Sequence, residues 1–214
     1  MASFKDLKRQ IYEEVAERVT GLGFKKRVSR RSYEKDFPEG KMSFHLAYIS
    51  HARDFHVTVD VAVRFDALED LVNADEIRMS EKDKKSTFSF GVELGNLSIG
   101  EQRRWVVANQ SDIANVADSI VSAFREIGVP YLETYSDMEM AYELLSRDDP
   151  GVWKHAPIHE LGARSALGLA YLLGKRDLAD LVNRKTQELH SFLEADVIDE
   201  TDMEKFLRFS SKLN

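Results

Sequence analysis

"HLAYISHARDFHVTVDVAVRF", residues 45–65, decides the fold. Apolar and polar side chains alternate on both sides of "HARD" (51–54), the pattern of two strands joined by a short connection. With that tetrapeptide as the loop, Ser50 stands across from Phe55, Ile49 from His56, and His45 from Asp60. Successive side chains of a strand point to opposite faces, so the hairpin sorts its residues into two sets. Phe44, Leu46 and Tyr48 join Phe55, Val57, Val59, Val61, Val63 and Phe65 on the face that needs a core. Burying each is worth roughly 1.5–3 kcal/mol, and a one-residue slip would turn the whole set to water.

The other face is the first candidate site for a ligand or a partner: His45, His56, Asp60 and Arg64. A cross-strand His–Asp pair can poise a base or orient a metal ligand. No nucleophile stands beside it, and a metal would need a further ligand from elsewhere in the chain. The plainer reading is a polar sheet face with cross-strand pairs. No catalytic residue, metal or cofactor is assigned on this pattern.

Upstream, Ser3 and Asp6 have N-cap spacing, and Phe4, Leu7, Ile11, Val15 and Val19 recur at helical spacing up to Gly21 and Gly23. "FKKRVSRRSYEKDF" (24–37) follows as one expected strand, and "PEG" (38–40) as a turn. This basic stretch is the second candidate site, with Lys25, Arg27, Arg31 and Lys35 expected on one side. It would bind phosphates or an acidic partner. The plainer reading is a sheet edge guarded by charge.

Downstream, "TFSFGVELG" (87–95) alternates as a strand, and "RRWVVAN" (103–109) reads as a short extended piece. From Ser111 the spacing turns helical. Ser136/Glu139 and Thr201/Glu204 have capping-box spacing, and Pro157 suits the first residue of a helix running to Gly174. The expected class is α+β: an N-terminal helix, an antiparallel sheet of about four to five strands, and a helical C-terminal half. "RDDPG" (147–151) suggests a division into an α+β domain, 1–147, and a helical extension packed on it, 148–214.

Several chemistries find no support. The chain of 214 residues has no cysteine, so disulfides, thiolate nucleophiles and Cys-based metal sites are excluded. The phosphate loop, the dinucleotide fingerprint and the hydrolase elbow are missing. His155 and His159 are four apart, but Pro157 between them spoils a helical zinc pair. No stretch has signal-peptide character or the length of a membrane span, which suits a cytoplasmic address. Net charge is −7, unevenly spread: residues 1–66 hold 13 Lys and Arg against 10 Asp and Glu, the remaining 148 hold 17 against 27. Such a surface disfavours nonspecific nucleic-acid binding.

The order of first helix, "GLGFKKRVSRRSYEK" (21–35), hairpin and "FSFGVELG" (88–95) resembles the bacterial domain-of-unknown-function family 4304. Gly23, Phe24, Lys25 and Tyr33 carry the likeness, with "FHVTVDVAV" (55–63), "RRWVV" (103–107) and "FREIGVPYLETYSD" (124–137). It spans about residues 3–147 and implies an α+β fold and a bacterial origin. It supplies no catalytic residues. The expected function is a non-enzymatic module that binds another protein, in the manner of a toxin-immunity or regulatory protein. The alternatives are a small-molecule binder or hydrolase using the His/Asp face, and nucleic-acid binding through residues 25–35.

Overall fold

The computed structural model describes residues 3–28 and 31–213. Two compact units divide the chain: Met1–Val63 with Val92–Thr134, and Arg64–Gly91 with Tyr135–Asn214. The boundary expected after residue 147 lies inside the second unit.

The first unit opens with α1 (Phe4–Val19), capped by Ser3, whose hydroxyl accepts from the Asp6 N–H. Its apolar stripe buries Leu7, Ile11, Val15 and Val19. Strands β1 (Lys25–Arg27), β2 (Ser32–Phe37), β3 (Gly40–Ser50), β4 (Phe55–Phe65) and β5 (Phe90–Glu93) lie side by side in that order. A further strand, β6 (Trp105–Val107), pairs antiparallel with the start of β4, so the sheet has six strands among the described residues. The fold is α+β, with a mostly helical C-terminal half.

The hairpin forms as its alternation dictates. The His51 N–H donates to the Asp54 carbonyl at 2.9 Å, which closes the turn and sets the register. Phe44, Leu46 and the six apolar residues of β4 are all fully buried, while Tyr48 is half-buried. The Phe44 ring stacks on Phe124 with centroids 4.1 Å apart, and Tyr33 stacks on Phe44 at 5.2 Å. Phe124 comes from a π-helical turn, Phe124–Gly128, that follows α5 (Ile113–Ala123). A β-carbon on Gly128 would sit 2.5 Å from the Phe124 ring, so the turn needs glycine there.

The basic stretch departs from expectation. It is two strands, not one: β1 turns back on β2 with Lys25 opposite Glu34 and Arg27 opposite Ser32. Arg31 makes the reversal with φ of 53°, a left-handed conformation that side chains with a β-carbon rarely adopt. The single face expected for Lys25, Arg27, Arg31 and Lys35 therefore does not exist.

The second unit is built around α8 (His159–Leu172), which packs against α2 (Asp66–Val72), α7 (Met138–Leu145), α9 (Leu178–Glu194) and α10 (Glu200–Ser210). Ala163, Ala166, Leu167, Leu169 and Ala170 are fully buried, as apolar residues on a central helix should be. Helix α7 is capped by Asp137 and α10 by Asp199, each near the expected cap and each with a carboxylate doing the capping. Helix α8 starts two residues after Pro157.

Candidate functional site

The polar hairpin face does not assemble as one cluster. His45 Nδ1 lies 3.6 Å from Asp60 Oδ2, and both side chains are more than 40% exposed. This is the cross-strand pair read from the alternation, solvated and worth little in stability. Glu93 stands near enough to feel Asp60, yet its carboxylate is already used. It accepts from the backbone N–H groups of Gly95, Asn96 and Arg103, and so pins the loop after β5. Burial pushes its carboxyl up, the three N–H donors oppose that, and the charge of Asp60 adds to it. Among the described residues, neither His45 nor Asp60 makes a side-chain hydrogen bond with a serine or threonine hydroxyl.

His56 belongs elsewhere. It lies four residues before Asp60, about 13 Å along the strand. Its neighbours are Asp54, with Oδ1 3.5 Å from His56 Nε2, and His51, whose ring centroid is 4.3 Å away. Arg64 is not on an open face either. Its side chain is 4% exposed. It is held in the second unit by Asp66 and by the carbonyls of Lys84 and Thr87. The loop that covers it arrives twenty residues later in the chain.

The basic residues are spent unequally. Arg27 Nε pairs with Glu34 at 3.2 Å, and the Lys35 ammonium lies over the Phe24 ring at 5.9 Å. Lys25 is exposed on the short strand β1. Arg31 alone of the four lines a cleft, of about 490 Å³, with Lys5, Lys8, Arg9, Tyr12, Val28 and Tyr48. Three of its four cations come from α1. Residues 5, 8, 9 and 12 follow the i, i+3, i+4, i+7 spacing that puts side chains on one helix face. That spacing is visible in the sequence, but a helix that carries charges throughout reads as a solvated surface until something stands opposite it.

The cleft is polarised and partly rigid. Lys8 donates to the Ser50 hydroxyl at 2.7 Å and lies over Tyr48 and Phe55 at 5.7 and 5.3 Å. Arg31 lies over Tyr48 at 5.9 Å. Arg9 meets Asp6 at 3.5 Å in an exposed contact. Lys5, Lys8 and Arg31 make no ion pair among the described residues. The phenols are locked as donors: Tyr48 to the Lys8 carbonyl and Tyr12 to the Ser32 carbonyl. Burial pushes the Tyr12 hydroxyl up to about 12 and raises that of Tyr48, so neither adds negative charge near neutrality.

Comparison with family models, with curated proteins and with solved structures found no match. Among the described residues, no helix is long and apolar enough to cross a membrane.

Proposed function

We propose that the chain is a non-enzymatic binding module that takes an acidic segment of a partner protein into the cleft lined by α1, by Val28 and Arg31 between β1 and β2, and by Tyr48 of β3. The observation that carries this reading is the cleft itself: four cations around two tyrosines, three of them without an ion-pair partner among the described residues, on a chain of net charge −7. Concentrating positive potential in one concavity of an acidic protein favours carboxylates there and repels them elsewhere. Exposed Val28 adds an apolar contact at the rim.

The tyrosines favour a peptide over a nucleic acid. Proteins that hold single strands offer open aromatic faces for bases to stack on. Tyr12 is 5% exposed and stacks internally on Tyr33 at 4.9 Å, and Tyr48 already has two cations over its ring. They form a wall, not a stacking platform. The likeness to the bacterial family of unknown function is proposed on the same α+β order and adds no activity to this reading.

Fluorescence anisotropy tests it with two labelled probes of equal charge, a Glu/Asp-rich peptide and a single-stranded oligonucleotide. The peptide is expected to bind saturably and to weaken with salt. The Lys8→Glu/Arg31→Glu variant is expected to bind it at least about tenfold more weakly. Arg31 is exposed and Lys8 half-buried, and a far-ultraviolet circular dichroism spectrum unchanged from the native chain checks that the variant keeps its fold. Tighter binding of the oligonucleotide, or equal binding by the variant, would sink the proposal.

A further inference from the structure

The turn of the β3–β4 hairpin gathers His51, Asp54 and His56, one ligand atom from each lying within 4.8 Å of the others. From this geometry we infer a binding site for a late first-row divalent cation of the Zn²⁺ class. Nothing in the cleft reading requires it: His56 is on the face of β4 opposite Phe55 and Val57.

The donor set names the metal class. Two imidazoles and one carboxylate suit Zn²⁺, Ni²⁺ or Cu²⁺, whereas Mg²⁺ and Ca²⁺ prefer oxygen alone. Around an ion with bonds of about 2.0–2.1 Å, ligand atoms lie about 3–3.5 Å apart. His56 Nε2 and Asp54 Oδ1 already stand at 3.5 Å. His51 is exposed, and its ligand atom lies within 4.8 Å of the other two.

The backbone holds the ligands in place. His51 and Asp54 are tied to each other by the 2.9 Å bond that closes the turn. His56 lies within β4, where it is held between β3 and Val106 of β6, its register partner. One polar atom of the cluster gives independent support. Asp54 Oδ1 is closed off from solvent and has no hydrogen-bond partner. A desolvated acceptor left unmatched is costly, and a coordinated cation is one of the recognised ways to match it. Three protein ligands would leave a fourth position for water or for a donor from a partner.

The site departs from the expectation that the chain holds no metal. That expectation sought a further ligand elsewhere in the chain for a cross-strand His–Asp pair, whereas His56 finds both His51 and Asp54 at the turn.

Isothermal titration of the full chain with Zn²⁺, after stripping with EDTA, tests the inference. One saturable equivalent is expected, released by EDTA. His51→Ala and the isosteric Asp54→Asn are each expected to weaken it at least about tenfold, since loss of even an outer-shell partner of a ligand costs that much. His45→Ala, which leaves the triple intact, should not change it. Co²⁺ titration gives a second readout, since a low-symmetry nitrogen–oxygen site produces visible bands that the two variants should lose. Absence of saturable binding, or binding that survives His51→Ala and Asp54→Asn alike, would overturn the site. Loss of binding in His45→Ala with retention in His51→Ala would move it to the other pair and overturn it equally.

Discussion

Arg64→Ala is expected to destabilise the protein by about 3–5 kcal/mol, the usual cost of stranding the partner of a buried ion pair. Arg64 Nε meets Asp66 at 2.7 Å, and one guanidinium nitrogen donates to the Lys84 carbonyl at 2.9 Å and to the Thr87 carbonyl at 3.0 Å. The same nitrogen lies 3.6 Å from Glu69 Oε2. Glu69 is 2% exposed, and its other oxygen is buried without a hydrogen-bond partner. Asn73 donates to Glu69 at 3.0 Å and the Thr87 hydroxyl donates to it as well, but both are neutral. Arg64 is the cation paired with that carboxylate, so its removal leaves a buried charge. Equilibrium denaturation measures the loss. Arg64→Lys should lose less, because the charge stays while the forked donor geometry goes. Adding Glu69→Gln to Arg64→Ala should recover part of the loss, because the stranded charge is then gone. A loss below about 1 kcal/mol is what an exposed side chain would give, and would return Arg64 to the open face.

Arg64 also shows where sequence reading ends. Alternation along β4 placed it on the polar face correctly, since it follows Ala62 and Asp60 in period two. What alternation does not carry is what lies over that face. The cover comes from the segment around residues 84–87, a polar stretch with no pattern linking it to β4. The hairpin core was legible for the opposite reason: its eight fully buried side chains are all strongly apolar, in strict period two, and only one register buries them. The reversal at Arg31 was not legible. Charged residues carry no preference for a face, and arginine gives no warning of a positive φ, as glycine would. The cleft was half legible, through Arg31 from one side and not through α1 from the other. The metal triple was hidden by scale. Asp54 and His56 are two apart, as along a strand, but His51 lies on the other side of the loop, and only the closed turn brings the first to the last.

Acid should weaken the second unit through His155, by about 3 kcal/mol at most between neutral pH and pH 4. His155 is 5% exposed, follows the short helix Pro150–Lys154, and has its ring 6.3 Å from that of Tyr135. Its carbonyl accepts from the Gly91 N–H at 2.8 Å, which fixes the residue inside the fold. Burial lowers the imidazole from 6.5 to about 4, helped by the positive charges of Lys154 and Arg147 and opposed by Asp149. The folded state therefore keeps the ring neutral where the unfolded chain would protonate it. Stability contributed this way is complete above about pH 6.5, falls as the unfolded chain takes up its proton, and levels off below about pH 4. Glu160, whose carboxyl is raised chiefly by burial, works against this trend, because protonation relieves a buried anion in the folded state. The two are separated by comparing the native chain with His155→Gln across the same pH range, since Glu160 is common to both. The native chain should lose stability relative to the variant as pH falls from 7 to 4, with a limiting slope of about 1.4 kcal/mol per pH unit for one proton. Parallel curves would mean that the buried imidazole takes its proton without leaving the fold.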